Sequence, residues 1–373
     1  MRKTFLYEAR ISHTTAANVN HWLEICRSLY NTALDQRISV YRQHKKTISV
    51  YDQANQLPML KKAYPEFKAV GSQVLQDVLE RLDKAYKSFF RRVKQKGQKA
   101  GFPRYKGYGR YDSFTLKQAG WKLSGRYLTI TRLGRFKLFL SRPIEGDIKT
   151  ITVWRVPGGK WHVAFSCDNV PAKKLPVTDT EVGIDVGIKS FCVDSDGGIV
   201  ENPACFRKSE KILRRRQRCL SRKKKGSNNR AAARVLVAKT HAKITNQRRD
   251  FLHKTANTYI KEYGKIMVED LKIQNMVKNQ YLAKSISDSS WGTFLEFLSY
   301  KAEEAGRTVI KVNPHGTSQR CSGCGEQVPK SLSVRTHCCP SCNLVMDRDF
   351  NASINILRAG QVLQALTPPV GVA

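Results

Sequence analysis

Acidic residues are scarce in this chain of 373 residues, where 30 Asp and Glu stand against 66 Lys and Arg and give a formal net charge of +36. Such an excess argues against an enzyme for neutral substrates and points to a polyanion, with nucleic acid as the favoured partner. The sequence has no lipidation motif, no amphipathic anchor and no apolar run long enough to span a bilayer. A membrane surface is therefore not the expected partner.

The N-terminus, MRKTFLYEAR, lacks the apolar core of a secretory signal. The ten cysteines are therefore expected to be reduced, in a cytoplasmic, nucleoid-associated protein of a prokaryote, because disulfide frameworks belong to secreted chains. The sequence also offers no convincing Ser, Cys or His triad. With 41% hydrophobic residues, the chain has enough apolar material for two or three globular domains.

Two C-x-x-C pairs, about fifteen residues apart, predict a four-thiolate zinc ribbon made by Cys321, Cys324, Cys339 and Cys342. Cys338 lies next to Cys339 and leaves the third ligand open. Four thiolates leave no open coordination position, so we expect this zinc site to be structural.

The N-terminal half predicts several strands and two long helices. Thr4–Ile11 alternates apolar and polar residues, as a strand does, and helices are expected over Thr14–His44 and Ser72–Lys96. Further strands are predicted at Ser113–Lys117, Tyr127–Thr131, Arg135–Leu140, Ile151–Val156 and Lys160–Cys167. This pattern favours a small β-barrel or sandwich, with the helices as an insertion after its first strand.

The C-terminal half predicts an α/β domain. Glu181–Asp194 is interpreted as one buried strand, in which glycines flank Asp185. The other predicted elements are two basic helices over 207–263, a strand at Gly264–Leu271, a mobile loop at Lys272–Ser290, a helix at Trp291–Ala305, a strand at Arg307–Val312 and a helix starting near Ala352. No element is predicted after Leu357.

This order of elements is that of an RNase H-like fold, in which Asp185, Glu269 and Asp349 can converge at one end of a sheet. Three carboxylates suffice to hold two Mg²⁺ or Mn²⁺ ions for phosphodiester hydrolysis. Asp185 would bridge both ions, and the other two carboxylates would hold them from either side. Acidic residues at a helix start are often only caps, so the motif DRDFN is weak evidence by itself.

Several motifs together carry a resemblance to a known family: GIDVGIKSF, NQRRDFLHK, VEDLKI, SSWGTF, TSQRCSGCG, CPSC and DRDFNASINI. They resemble TnpB, the RNA-guided nucleases encoded by insertion sequences and related to type V CRISPR effectors. The resemblance is specific from Val182 to Ile356 and looser in the N-terminal half, where FPRYKGYGRYDSFTL carries it.

The resemblance implies a RuvC catalytic triad of Asp185, Glu269 and Asp349, with Asp347 as the weaker candidate, and zinc ligands in a target-nucleic-acid-binding insertion. It also implies a lid at Lys272–Ser290. The expected domains are a wedge β-barrel (1–12 and 101–178) with an inserted helical recognition lobe (13–100), a RuvC domain (179–316 and 346–360) with an inserted ribbon (317–345), and a tail (361–373).

The family further implies a guide RNA from the transposon end, a double-stranded DNA target beside a short motif, and a monomer on one RNA. Basic surface would supply affinity and base pairing would supply sequence choice. The expected nucleic-acid contacts are Arg91, Arg92, Arg104, Lys106, Arg214, Arg215, Arg216, Lys223, Lys224 and Lys225. Solvated charge is the alternative interpretation of these runs.

Three rival functions stay open. A regulator of the same fold without useful catalysis would not need the complete triad. An unguided RuvC nuclease would be shorter and would lack the ribbon and the helical insertion. A strand-transferring transposase shares the acidic triad on an RNase H-like fold, but this is an analogy of fold only. The C-x-x-C pairs directly before DRD argue against this third rival.

Overall fold

The computed structural model describes residues 1–95, 99–331 and 334–366. The chain divides into two compact units, Met1–Pro171 and Ala172–Ala373. Among the described residues, no helix combines the length and the apolar character needed to cross a membrane. Lys96 and the last part of the predicted tail lie outside the described residues.

The first unit is an antiparallel sheet with helices inserted after its first strand. Its elements are β1 (Lys3–Ile11), α1 (His13–His44), α2 (Val50–Asn55), α3 (Leu57–Ala63), a 3₁₀ turn (Pro65–Ala69), α4 (Ser72–Lys94), β2 (Ser113–Leu116), β3 (Trp121–Ser124), β4 (Tyr127–Ile130), β5 (Gly134–Leu138), β6 (Asp147–Arg155) and β7 (Trp161–Asp168).

The sheet order is β2-β6-β7-β1-β5-β4-β3, so β1 lies centrally between β7 and β5. Phe5, Tyr7 and Ala9 of β1 are buried, which confirms the alternation predicted for this strand. The sequence predicts a small β-barrel or sandwich here. Within the described residues β2 and β3 form the two edges of the sheet, so its strand order is that of a half-barrel. The short strand β3 and the helices α2 and α3 were not predicted.

The two long helices of this unit close one core with the sheet. Ser12 caps α1 by accepting a hydrogen bond from the Thr15 backbone N–H at 3.0 Å. On α4, Val74, Val78 and Leu82 are buried, as their spacing of four residues predicts. Both long helices are confirmed within a few residues of their expected ends.

The second unit is an α/β domain. Its elements are β8 (Glu181–Val186), β9 (Ser190–Asp194), β10 (Ile199–Glu201), α5 (Cys205–Ser221), α6 (Asn228–Glu262), β11 (Lys265–Glu269), α7 (Ile273–Met276), α8 (Ala283–Ser289), α9 (Trp291–Ala305), β12 (Thr308–Val312), β13 (Thr336–Cys338), β14 (Val345–Asp347) and α10 (Arg348–Leu366). The main sheet has the order β10-β9-β8-β11-β12. Its first three strands form an antiparallel meander, and β8, β11 and β12 run parallel.

Three predictions for this unit are wrong in detail. Glu181–Asp194 is not one strand but the hairpin of β8 and β9, turned at residues 187–189. Residues 272–290 are not an irregular loop, because they contain α7 and α8. The chain after Leu357 continues as helix α10 to Leu366, so the expected boundary at residue 361 falls inside a helix.

Helix α10 packs directly onto the sheet, and two glycines allow this approach. A Cβ atom on Gly183 of β8 would lie 2.2 Å from the Ser353 backbone oxygen and 2.5 Å from the Leu357 backbone nitrogen. A Cβ on Gly360 would lie 2.1 Å from Cγ of Met267 on β11. This packing fixes the start of α10 beside the end of β8.

Candidate active site and cysteine cluster

Asp185, Glu269 and Asp349 come from three elements of the second unit. Asp185 lies near the carboxyl end of β8, and Glu269 is the last residue of the parallel neighbour β11. Val268 pairs with Ile184 in this parallel pair of strands, so the next residues along the two strands, Glu269 and Asp185, lie side by side. Asp349 lies in the first turn of α10, the helix that packs on β8. The topology therefore brings the three carboxylates to one end of the sheet.

The three carboxylates are electrostatically coupled. Asp185 and Asp349 are buried, and Glu269 is half-buried. Burial raises the pKa of Asp185 well above its ordinary value, and the negative charges of Glu269 and Asp349 raise this pKa further. Burial also raises the pKa of Glu269, which a hydrogen bond from Thr317 partly offsets. Like charges held together in this way favour a cation between them.

Two arginines contact Asp349, and neither contact was expected from the sequence. Arg348 Nη2 lies 2.7 Å from Asp349 Oδ1, and Arg335 Nη1 lies 3.5 Å from Asp349 Oδ2. Arg348 lies between the two aspartates of DRDFN, so the motif itself could have indicated that Arg348 contacts one of them. Arg335 comes from the segment before the second cysteine pair, and its contact depends on the tertiary fold.

Asp347 has a different environment from Asp349. Its Oδ1 accepts hydrogen bonds from the backbone N–H groups of Asp349, at 2.8 Å, and Phe350, at 3.2 Å. The side chain is therefore a cap for the first turn of α10. This geometry supports the preference for Asp349 over Asp347 as the carboxylate of the cluster.

Polar contacts join the segment before the cysteines to the carboxylates and to α10. Thr317 donates its hydroxyl proton to Glu269 Oε1 at 2.6 Å. The buried Asn351 accepts from the Ser322 backbone N–H at 2.8 Å and donates to the Arg320 carbonyl at 2.8 Å. Asn355 donates to the carbonyls of Thr317, at 2.9 Å, and Arg320, at 2.7 Å. We call Asn351 and Asn355 the asparagine clamp.

The four predicted cysteines converge. Among the described residues, they are the one set of three or more His, Cys, Asp or Glu whose ligand atoms all lie within 4.8 Å of one another. The Sγ atoms are 3.6 Å apart for Cys321 and Cys342 and 3.5 Å apart for Cys324 and Cys339. A tetrahedral Zn²⁺ with Zn–S bonds of about 2.3 Å separates its sulfurs by roughly 3.8 Å, so the quartet fits this ion. Cys338 is exposed and lies outside the quartet.

The thiols of the cysteine quartet differ in acidity. Against the effect of the Leu344 backbone N–H, burial and hydrogen bonds with the neighbouring thiols raise the pKa of Cys342 to about 12, and the pKa of Cys339 shifts the other way. Burial opposes ionisation of Cys339, yet the backbone N–H groups of Cys342 and Ser341 and the Cys324 thiol lower the pKa of Cys339 to about 6. The three carboxylates do not lie within 4.8 Å of one another in the described part of the chain, so they are less tightly drawn together than the thiols.

The residues predicted to contact nucleic acid differ in exposure and in their hydrogen-bond and ion-pair partners. Arg216 Nη1 donates to Thr240 Oγ1 at 2.6 Å and holds α5 against α6, which gives it a structural role. Arg214 pairs with Glu210 at 3.2 Å. Arg215 and Lys223 are exposed and line an open cavity of about 810 Å³ along α5 with other arginines and lysines. Arg91, Arg104, Lys224 and Lys225 are also exposed, whereas Arg92 and Lys106 are half-buried.

The predicted lid segment is partly anchored. Asp288 of α8 accepts hydrogen bonds from the backbone N–H groups of Phe206, at 3.0 Å, and Arg207, at 3.3 Å, and pairs with Arg248 at 2.8 Å. Ile286 is buried. This segment therefore makes specific contacts with the start of α5 and with α6.

Three family models match the chain: "Probable transposase" of the OrfB_IS605 type over residues 164–280, "Cas12f1-like, TNB domain" over residues 291–356, and "Helix-turn-helix domain" over residues 1–46. Within residues 1–46 the structure has strand β1 followed by the single helix α1, and not two helices joined by a turn. The second match covers both cysteine pairs and Asp349.

Two curated relatives match almost the whole chain. A "Putative RNA-guided DNA endonuclease" of Streptomyces pristinaespiralis is 33% identical, over 98% of this chain and 91% of the relative. The "Putative RNA-guided DNA endonuclease InsQ" of Escherichia coli K12 is 32% identical, over 97% of this chain and 93% of the relative.

A solved structure shares the fold. The Cas12f1 protein in a complex with single guide RNA and target DNA matches with a TM-score of 0.57 and 14% identity, over 92% of this chain and 82% of that one. Because the family models agree with two relatives that are more than 30% identical over nearly the whole chain, the chain belongs to the TnpB family.

Proposed function

We propose that this chain is an RNA-guided DNA endonuclease that uses a guide RNA from the transposon end to cut double-stranded DNA beside a short adjacent motif. The observation that carries the proposal is the meeting of Asp185, Glu269 and Asp349 at one end of the RuvC-type sheet. The names of the two full-length relatives support the same activity.

The carboxylates fit divalent metal ions. Their oxygens are the hard ligands that Mg²⁺ and Mn²⁺ prefer, and the raised pKa of buried Asp185 supports a site that favours positive charge among them. Asp185 would bridge two ions, with Glu269 and Asp349 as the flanking ligands. Bound there, the ions would supply an activated water and would neutralise charge on the leaving oxygen.

The surrounding residues would hold the carboxylates in place. Thr317 orients Glu269, and the two arginines hold Asp349 while its backbone N–H is fixed by Asp347. Arg335 is 44% exposed, so its guanidinium can reach a DNA phosphate as well as Asp349. Burial of Asp185 and Asp349 limits water around them.

The cysteine quartet would hold a structural Zn²⁺. The asparagine clamp would then connect the ordered ribbon to α10 by hydrogen bonds. The domain assignments stay proposals: a wedge of residues 1–12 and 101–178 around a recognition lobe, and a RuvC domain interrupted by the ribbon. A monomer on one RNA is the proposed assembly.

The test begins with co-expression of the protein with the DNA that flanks its gene, followed by sequencing of any RNA that copurifies. The purified particle is then tested for Mg²⁺-dependent cutting of a plasmid library with a matched target and a randomised adjacent motif. Asp185→Ala is expected to keep the RNA and to lose cutting. Asp270→Asn is the matched control, because Asp270 is the exposed neighbour of Glu269.

Each outcome has a distinct meaning. A defined RNA with cutting that Asp185→Ala abolishes supports the proposal and reveals the motif. A defined RNA without cutting by the unmodified chain would favour a guided binder. Cutting that survives Asp185→Ala would overturn the triad, and the absence of any bound RNA would overturn guidance.

A further inference from the structure

The end of helix α4 and the segment after it carry four aromatic rings in mutual contact. Phe89 lies 5.2 Å from both Phe90 and Phe102, measured between ring centroids, and Tyr86 lies 5.5 Å from Phe102 and 6.3 Å from Phe90. We call Tyr86, Phe89, Phe90 and Phe102 the aromatic cluster. Tyr86 packs against the core of the first unit, so the cluster has a fixed base.

The cluster is open to solvent on its outer side. Phe90 is 53% exposed and Phe102 is 45% exposed, and Tyr105 beyond them is 53% exposed. Single exposed apolar residues are common on proteins. Several large rings in contact with one another form a continuous apolar patch, and such patches mark binding sites.

The surroundings of the cluster are basic. The sequence has no Asp or Glu between Asp83 and Asp112, whereas Lys and Arg recur throughout this stretch. Arg91 and Lys94 on α4 and Arg104 after the cluster are exposed. Two acidic groups of the neighbouring helices are engaged: Asp83 pairs with Arg37 and Lys87, and Asp35 accepts a hydrogen bond from Tyr105 at 2.8 Å.

The segment that presents these side chains is held in place. Asn31 of α1 accepts a hydrogen bond from the Lys106 backbone N–H at 2.8 Å and donates to the Lys106 carbonyl at 3.0 Å. Arg92 donates to the Gly101 carbonyl at 3.4 Å and so links α4 to the start of the segment. Rings and cations are therefore presented on an ordered backbone, which lowers the entropy cost of binding.

Exposed rings among cations have the chemistry that recognises unpaired nucleotides. Bases stack on aromatic side chains, and arginine and lysine neutralise the phosphates between them. A protein partner complementary to this surface would need an acidic apolar face. We propose that the aromatic cluster is a stacking surface for unpaired nucleotides, with Arg91 and Arg104 holding their phosphates. This inference deepens the proposed function, because it rests on the binding of nucleic acid by this chain.

The test compares the affinities of full-length variants for short single-stranded RNA, single-stranded DNA of the same sequence, and the matching duplex. Phe90→Ala combined with Phe102→Ala is expected to weaken binding of a single strand about tenfold or more and to affect the duplex much less. The RNA and DNA arms show which kind of strand the surface prefers.

Two further variants separate stacking from folding and from charge. Phe90→Trp with Phe102→Trp keeps ring faces and is expected to restore single-strand affinity, while Phe139→Ala removes a ring of the same unit that is 52% exposed and is expected to change nothing. Replacement of Arg91 and Arg104 by Gln is expected to flatten the salt dependence of binding. A 2-aminopurine base in the strand reports stacking directly, because its fluorescence is quenched when it stacks.

The outcomes distinguish this inference from the proposed function. If the unmodified protein binds RNA and the double alanine variant binds and quenches equally well, the stacking surface is wrong and a protein contact becomes its alternative. Equal losses for single strand and duplex would also overturn it. If the unmodified protein binds no nucleic acid at all, the proposed function itself fails.

Discussion

Asp347 and Asp349 are two positions apart, yet their carboxylates face different tasks. Asp347 accepts two backbone N–H groups at the start of α10, and Asp349 is buried between arginines beside Asp185. Both aspartates lie at the start of α10. Substitution of one or the other therefore separates the stability of the helix from the proposed metal-dependent cutting.

For Asp347→Ala we expect a loss of about 1 kcal/mol of stability, the usual cost of removing a helix cap, with metal-dependent cutting retained well below the melting temperature. Asp349→Ala is expected to abolish cutting. Thermal melting and plasmid cleavage measure the two effects. The assignment would fail if Asp347→Ala removed cutting while its melting curve stayed unchanged.

Thr317 is a positioning residue, because its hydroxyl donates to Glu269 and its carbonyl is held by Asn355. Thr317→Val keeps the shape and removes the donor, so Glu269 loses its orientation. We expect the Mg²⁺ concentration that gives half-maximal cutting to rise about tenfold, the effect typical of losing a partner of a metal ligand. Thr317→Ser should restore it, and Mn²⁺ binding followed by electron paramagnetic resonance gives a readout independent of cutting.

At this scale, local motifs predicted that the four cysteines come together, but not the polar partners of the carboxylates. The spacing of the C-x-x-C pairs was sufficient to predict the cysteine quartet, because a ribbon is a local structure. Arg335 and Thr317 contact Asp349 and Glu269 from 14 and 48 positions away. Such contacts exist only after the ribbon has packed against α10, and no periodicity in the sequence encodes them.

Helix α10 and the sheet meet through glycines that differ in what they face. Gly183 faces the backbone of α10, which cannot yield, whereas Gly360 faces side-chain atoms of the buried Met267, which can shift only by a change of rotamer. Gly183→Ala is expected to cost about 3 kcal/mol or more, and Gly360→Ala about 1–2 kcal/mol. Urea unfolding of the two variants gives the comparison, and equal midpoints would contradict this account of the packing.

The elements that were predicted incorrectly depend on tertiary contacts. The alternation of apolar residues continues on both sides of Gly187, so the hairpin of β8 and β9 resembled a single strand. Helix α8 has little periodicity and is held by Asp288 and Ile286 instead. Two residues fix the last turns of α10 on the sheet. Gly360 packs against Met267 of β11, and the Gln361 side chain donates a hydrogen bond to Glu181 at 2.8 Å.

On the scale of the whole molecule, positive charge is the dominant property, but its residues are not equivalent. Arg216 is bound to α6, while Arg215, Lys223 and Lys224 are exposed on α5 and just after it. The sequence predicted these residues as one group, since a structural arginine and a free one look alike in a basic run. Their contact with nucleic acid stays a prediction.

Replacement of Arg215, Lys223 and Lys224 by Gln is expected to weaken RNA binding and to reduce the slope of log affinity against log salt by about one unit for each phosphate that is no longer neutralised. Arg216→Gln should instead lower the melting temperature. Fluorescence anisotropy over a salt series measures the first effect. An unchanged slope in the triple variant would mean that these charges are only solvated.

The asparagine clamp would make the proposed cutting site depend on zinc. Because Asn351 and Asn355 join the cysteine ribbon to the helix that carries Asp349, a chain made without zinc would lose order at its cutting site while its N-terminal unit stayed folded. In a cell starved of zinc, the protein would then still bind RNA but would not cut DNA. The supply of zinc would therefore limit the amount of DNA cutting. Chelator-treated particles that cut at the full rate after proven zinc loss would refute this coupling.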